Sequence, residues 1–310
     1  MDTPANISVI IPVFNGEKVI GPLLESLTCW GSKGRDEIIV IDNSSTDNTV
    51  KVIKTFPWVH LIHQDKIPNS YATRNAGIRA ASGDGIVFID ADVVTTPGWL
   101  DALFEGWEDE TIGCFVGEVK PYSDKTLVER FCRDLKYLEQ RKALIAKPPM
   151  LKTVNCAFRR KVFEEVGSFD EDVISGGDSL LFHRMLATGK WTYRYNPHAV
   201  VLHRNPRTVR ELLKKAVRTG ASFRTLTRSP FSTNKKNEFG SPKFSGVLKY
   251  SLYMAGVLGY RLITALPREI GCFQLRPVND FITQFTAPVL QCMMQWCSWY
   301  GMKIGTREMR

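Results

Sequence analysis

The feature that most constrains this chain is an alternation. Short β-branched runs at Ile7 to Phe14, Glu37 to Asp42, Val59 to His63 and Gly85 to Asp90 are interleaved with helix-like stretches, and the first three run into a polar or Gly-bearing turn. Strands joined through helical crossovers pair in parallel, and the crossovers cover both faces of the sheet. The expected fold class is therefore α/β, a mainly parallel sheet flanked by helices. In such open sheets ligands bind beyond the carboxyl ends of the strands. The residues just after each apolar run are where chemistry is expected, and here they are polar.

Further along, Asp124 to Lys142 has the pattern of one long amphipathic helix, broken at Pro148-Pro149 before a strand through Thr153 to Phe158. Residues 159 to 203 then predict a helix, a loop at Ser175-Gly176-Gly177, a second helix and a strand ending near His203. Arg207 to about Arg228 carries Leu212, Leu213, Ala216, Val217 and Phe223 at helical spacing, a basic amphipathic helix. Ser229 to Ser245 is a polar linker. The tail is apolar over Gly246 to Leu266 and aromatic-rich over Phe281 to Ile304. Its first stretch is long enough, at about 1.5 Å per residue, for a bilayer core of about 30 Å. Arg261 within it would cost roughly 2.5–3.5 kcal/mol, so an interfacial or self-associating helix is equally compatible.

Charge matters through its location. The chain has 41 Lys and Arg against 32 Asp and Glu, a formal charge of +9, and the segment from Arg204 to Lys243 accounts for that whole excess. The segment has no zinc-finger, RRM or helix-turn-helix signature, and its aromatics (Phe223, Phe231, Phe239) are thin for base stacking, so no nucleic-acid partner is expected. A basic helix before an apolar tail suits an anionic membrane surface; the bland reading is a solvated face that steers an anionic ligand. The 7 cysteines are an odd, scattered set without C-x-x-C spacing, against a disulfide framework or zinc site. The opening MDTPANISVIIPVF lacks the basic stretch and cleavage site of a signal peptide. The expected setting is cytoplasmic, peripheral on the inner face of the cell membrane.

Four motifs follow the strands. Pro12-Val13-Phe14-Asn15-Gly16 ends the first, and Asp42-Asn43-Ser44-Ser45-Thr46-Asp47 follows the second, which places Asn15, Asp42 and Asn43 on one sheet edge. Carboxylate and amide groups there suit a nucleobase or ribose, although each motif alone also reads as a turn with a helix cap. Ala72-Thr73-Arg74-Asn75-Ala76-Gly77 opens a helix after the third strand, and a guanidinium there suits a pyrophosphate. The fourth strand delivers Asp90-Ala91-Asp92. Two carboxylates so close repel unless a cation joins them, and Mg²⁺ or Mn²⁺ shared with a diphosphate meets that need. The alternative is a pair of solvated acids capping a helix at Thr95-Thr96-Pro97. A Rossmann oxidoreductase would want G-x-G-x-x-G after the first strand, where this chain has Pro-Val-Phe-Asn-Gly.

In this order and spacing the motifs resemble those of the family-2 glycosyltransferases of the GT-A fold, over roughly residues 7 to 225. The resemblance implies an inverting, hexosyltransferase-type enzyme of polysaccharide biosynthesis. Its donor would be a UDP-, GDP- or dTDP-linked sugar and its acceptor a hydroxyl of a glycan or lipid-linked substrate. Pro12, Phe14, Asn15, Asp42, Asn43, Arg74, Asp90, Ala91 and Gly177 would line the donor, with Mn²⁺ or Mg²⁺ on Asp90 and Asp92. His203, after Val200-Val201-Leu202, resembles a third metal ligand or a contact to the donor diphosphate. In Ser175-Gly176-Gly177-Asp178-Ser179-Leu180-Leu181-Phe182-His183-Arg184 the family's general base matches Asp178, which by position alone also reads as a helix cap. The family often has Gly-Glu-Asp followed by another acid, and here Gly177 and Leu181 stand at those places. His183 reads as a surface or packing residue.

The domain expectation is a GT-A catalytic domain over 1–228, with its nucleotide-sugar part to about 120 and its acceptor part beyond. A linker over 229–245 and a helical appendage over 246–310, for membrane or self-association, complete it. The alternative is a non-catalytic sugar-nucleotide-binding or scaffold protein on the same fold, which loss of the acids would favour; Asp90, Asp92 and Asp178 are all present.

Overall fold

The computed structural model describes residues 4, 6–28, 37–64, 69–226 and 229–231, and isolated helical positions between 289 and 300. The sequence runs become strands β1 (Ile7–Val13), β2 (Glu37–Asp42), β3 (Val59–His63) and β4 (Gly85–Ile89), interleaved with helices α1 (Ile20–Thr28), α2 (Thr49–Ile53) and α3 (Ser70–Ala80). There follow β5 (Val93–Thr95), α4 (Trp99–Leu103), β6 (Ile112–Pro121), α5 (Leu127–Asp134), α6 (Gln140–Leu144) and β7 (Asn155–Arg159). Then come α7 (Arg160–Val166), α8 (Gly177–Ala187), β8 (Thr192–His203) and α9 (Val209–Leu226).

The strands form one sheet in the order β3-β2-β1-β4-β7-β6-β8-β5. The first four are parallel, as their crossovers require. β7 runs antiparallel to both β4 and β6, so β6 recovers the direction of β4, and β8 is parallel to β6. The beginning of β7 and the end of β8 therefore reach the same edge as the carboxyl ends of β1 to β4. The sheet is more mixed than the alternation predicts, because strand direction beyond Asp90 is set by pairing across long connections.

Side chains alternate between two cores. Ile7, Val9, Ile11 and Val13 of β1 join Leu23, Leu24, Ile53 and Trp99 on one face, while Ile10 joins Ile78, Phe158, Phe163 and Phe182 on the other. Gly77 lets α3 lie close on the second face: a Cβ there would stand 2.5 Å from Ile10 Cγ2.

Asn155 locks the antiparallel half together. Its Nδ2 donates to the Glu118 and Ala199 carbonyls, both at 2.8 Å, and its Oδ1 accepts from Trp99 Nε1 at 2.8 Å. These bonds hold an irregularity in the β6 and β8 pairing, where the register passes from Gly117 opposite Asn196 to Glu118 opposite Val200. Everything in β8 after it, including His203, depends on that step.

The long helix expected over Asp124 to Lys142 is instead two, α5 and α6. Lys136 has φ +51°, which ends the first. The halves serve different surroundings: Val128, Phe131 and Cys132 bury with Leu212 and Leu290, whereas Gln140 Nε2 donates to the Lys152 carbonyl at 2.7 Å. The helix expected from Thr95-Thr96-Pro97 also begins later, at Trp99, because β5 occupies Val93–Thr95. The acids Asp90 and Asp92 thus flank a strand rather than cap a helix. The basic helix is present as α9, with Leu212 and Ala216 buried.

The chain separates into two compact units, one of Met1–Tyr122, Leu138–Arg204 and Thr225–Thr233, the other of Ser123–Tyr137, Asn205–Arg224 and Asn234–Arg310. Most of the linker and apolar tail lies outside the described residues. Among the described residues no helix is long and apolar enough to cross a membrane.

Replacing Asn155 by Ala should lower unfolding stability by roughly 3 kcal/mol, since it strands two buried carbonyls and an indole N–H. The midpoint of urea denaturation measures this.

Candidate active site

The carboxyl edge of the parallel strands is tightly stitched. Asn15, at φ +49°, donates its backbone N–H to Ser45 Oγ at 2.8 Å, and its side-chain oxygen accepts from the Thr46 amide at 2.8 Å. Its amide oxygen, which also accepts from Thr46 Oγ1 at 3.3 Å, joins the two turns. Asp42, at the end of β2, is buried and accepts from the Ser45 amide at 3.3 Å. His63, which sequence reasoning missed, ends β3 with Nδ1 3.4 Å from Asp42 Oδ2. Its signal was its place as the last residue of a strand run. The Asn43 backbone N–H donates to the Val13 carbonyl at 2.8 Å, while its Oδ1 is buried without a hydrogen-bond partner among the described residues. Phe14 stands 60% exposed beside them, an apolar ring left in water. Pro12, within β1, and Ala91 are half-buried.

Arg74 sits at the centre of the site, although a lone Arg after a turn is usually a surface residue. Only 5% of it is exposed, and Nη2 donates to Asp90 Oδ1 at 2.6 Å while Nη1 reaches the Ser70 carbonyl at 3.3 Å. Its Nε is buried without a hydrogen-bond partner among the described residues. A buried guanidinium needs a carboxylate, and Asp90 at the end of β4 supplies it.

Asp92 turns the other way. Its Oδ2 lies 3.4 Å from Nε2 of His203, and the pairing of Val93 with His203 in β5 and β8 creates this approach. The Arg204 amide donates to the Asp92 carbonyl at 2.9 Å and fixes the junction. The three residues expected to hold a metal are thus split, Asp90 to Arg74 and Asp92 to His203. Among the described residues no group of three or more His, Cys, Asp or Glu forms a ready cage. A carboxylate oxygen beside an imidazole nitrogen nevertheless fits Mn²⁺ or Mg²⁺, ions that take most remaining ligands from water and substrate phosphates.

Asp178, at the start of α8, is only partly exposed. Its Oδ1 accepts from the Ser179 amide at 3.0 Å and Oδ2 from the Thr153 amide at 3.4 Å. Burial pushes its carboxyl up from the ordinary range, and the Arg74 charge and these amides pull against the rise. Lys152, also missed, precedes Thr153; burial lowers its amine to about 8 while Asp178 acts to raise it. Nothing in its sequence surroundings marks Lys152, because it lies on a loop between elements. His183 is packed rather than at the surface, with Nε2 2.7 Å from the Pro149 carbonyl and Nδ1 2.7 Å from Ser229 Oγ.

Residues 8–167 match the family described as Glycosyl transferase family 2. Glycosyltransferase AglE of Haloferax volcanii is 33% identical over 223 residues, which cover 69% of this chain and 71% of that protein. Among solved structures, the mannosyltransferase PcManGT of Pyrobaculum calidifontis, in complex with GDP-Man and Mn²⁺, superposes with a TM-score of 0.61. It shares 20% identity, and the match covers 94% of this chain and 86% of that one. Glucosyl-3-phosphoglycerate synthase of Mycobacterium tuberculosis, in complex with Mn²⁺, UDP and glucosyl-3-phosphoglycerate, gives a TM-score of 0.52 at 22% identity, covering 72% of this chain and 79% of that one. The mixed α/β sheet with its helices is the GT-A fold of these neighbours.

The raised Asp178 carboxyl has a consequence for stability. A carboxyl raised in the folded state adds stability at low pH that is lost as pH climbs through its folded value. Asp178→Asn should therefore melt at a higher temperature than the native chain near neutral pH, with the gap closing on acidification. Differential scanning calorimetry across pH tests this.

Proposed function

We propose, on the premise that the chain belongs to glycosyl transferase family 2, that it moves a sugar from a nucleoside-diphosphate donor to a hydroxyl of a glycan or lipid-linked acceptor, with inversion at the anomeric carbon. The observation that carries this reading is the half-buried carboxyl of Asp178, held by the Ser179 and Thr153 amides and the Tyr71 hydroxyl, pushed up by desolvation and sharing the Arg74 charge with Asp90. A base gains from a pKa raised toward neutrality, and desolvation moves this carboxyl in that direction.

The nucleoside would lie against Pro12, Phe14, Asn15, Asp42 and Asn43, where Phe14 offers a stacking face and the Asn43 oxygen an acceptor. The diphosphate and sugar would reach Arg74, Asp90, Ala91 and Gly177, with the buried Nε of Arg74 free to donate to an oxygen of the donor. Asp92 and His203, with Asp90, would hold Mn²⁺ or Mg²⁺, which when bound offsets the negative charge that builds on the departing diphosphate. Asp178 takes the proton of the acceptor hydroxyl as its oxygen bonds to the anomeric carbon. The bond to the diphosphate breaks on the opposite face, which inverts the centre. One base suffices for that displacement, consistent with Gly177 and Leu181 standing where the family often has acids. The GDP-Man and UDP complexes of the structural neighbours, each with Mn²⁺, support the donor class and the ion.

A membrane surface is part of this reading. Arg207, Arg210, Lys214 and Arg218 are exposed and fall on one side of the α9 region, a cationic stripe suited to anionic lipid.

Asp178→Asn should reduce transfer by about 100-fold or more while leaving donor affinity unchanged in calorimetry; loss of donor binding as well would make Asp178 structural. With nucleoside diphosphates and sugar nucleotides in Mn²⁺, Mg²⁺ or EDTA, thermal stabilisation of the native chain should depend on the ion and favour one base. Asp92→Ala should abolish the ion-dependent part, and an undiminished shift would overturn the metal assignment.

A further inference from the structure

We propose that Tyr71 is the positioning residue for the Asp178 carboxylate, filling the place left where Gly177 stands instead of the family's frequent acid. This inference rests on the reading of Asp178 as the base. Tyr71 is on the first turn of α3, which also carries Arg74, and it is buried. Its hydroxyl accepts from the Gly177 amide at 3.0 Å and donates to Asp178 Oδ1 at 3.4 Å. The same oxygen thus joins the first residue of α8 to the candidate base.

The ring is equally constrained. It stacks on Phe169, with centroids 5.6 Å apart and planes at 26°. A Cβ on residue 177 would come within 2.9 Å of ring atoms Cε2 and Cζ. Glycine at 177 and tyrosine at 71 are therefore a matched pair: a larger residue at 177 collides with the ring. The backbone around the ring is held as well. Asn69 Oδ1 caps the Tyr71 amide at 2.8 Å, and Asn69 Nδ2 donates to the Glu171 and Val173 carbonyls at 2.7 and 2.8 Å. The loop before Asp178 is thereby tied to the first turn of α3.

A hydroxyl that donates to a carboxylate favours its charged form and fixes its rotamer. The other ionisable groups that face Asp178 are Arg74 of α3, Lys152 before β7 and Cys156 in β7, with Asp90 across Arg74. Arg74 and Lys152 carry the positive charge of this set. Tyr71 supplies a directed bond to Oδ1, which also accepts from the Ser179 amide, while the Thr153 amide bonds Oδ2.

The test uses the full chain with ¹³C-carboxyl-labelled aspartate. Asp178 is assigned by the resonance missing in Asp178→Asn, and its titration is followed in the native chain and in Tyr71→Phe, which keeps the ring and its stack. Removal of the hydroxyl should move the midpoint of Asp178 to higher pH. An unmoved midpoint would overturn the inference. Turnover is read as Mn²⁺-dependent release of nucleoside diphosphate from UDP-glucose or GDP-mannose with water as acceptor. Tyr71→Phe should slow it about ten-fold at unchanged donor KM. Gly177→Ala, which displaces the ring, should shift the Asp178 midpoint in the same direction, and a shift absent in both variants would reject the pairing even if one of them folds poorly. If Asp178→Asn releases diphosphate as fast as the native chain, the reading of Asp178 as base fails, while the titration still decides what Tyr71 does to its carboxylate.

Discussion

The site hangs on helix α3, which is pinned on both sides. On one side Gly77 lets its backbone settle onto Ile10 and Ile41 of the sheet, closer than any side chain would permit. On the other, Asn75 exchanges hydrogen bonds with the Phe169 backbone, its Nδ2 donating at 2.9 Å and its Oδ1 accepting at 3.0 Å, and Asn69 holds the carbonyls of 171 and 173. Between these anchors the helix presents Arg74 to Asp90 and Tyr71 to Asp178. A stretch that reads in sequence as one short motif has three separate mechanical duties.

Charge economy follows from that placement. Three partly buried carboxylates, Asp90, Asp92 and Asp178, gather at this edge, where like charges repel. The fold answers with a different device for each: a guanidinium for Asp90, an imidazole for Asp92, and backbone amides with a hydroxyl for Asp178. The devices have unequal strength. Arg74 bonds Asp90 directly, whereas Asp178 feels the same guanidinium only through space, together with its amides, and desolvation still leaves its carboxyl raised.

Sequence reading succeeded where structure is local or periodic. The four parallel strands were legible because two-sided burial requires unbroken runs such as Ile7–Val13 and Gly85–Ile89. The polar residues after them were legible as a site because crossovers force all four carboxyl ends to one edge. The division of 124–142 was not, since an amphipathic stripe does not reveal that its two halves bury against different neighbours. Asn15 was placed correctly on that edge, yet its amide oxygen is consumed by Thr46. Which polar atoms remain available depends on loops that meet only after folding.

By itself, then, the sequence determined the α/β alternation, the edge at which ligands are to be sought and the family to which the chain belongs. These follow from burial periodicity and from residues a few positions apart. Tertiary structure alone decided that Asp90 pairs with Arg74 and Asp92 with His203, that Asn155 locks the step in β8, and that Tyr71 reaches Asp178 across 107 positions of chain. Such contacts join segments brought together by the reversal of strand direction at β7 and by the docking of α8 beside α3. No local pattern encodes them, because their energy resides in the packing of the whole sheet and its helices.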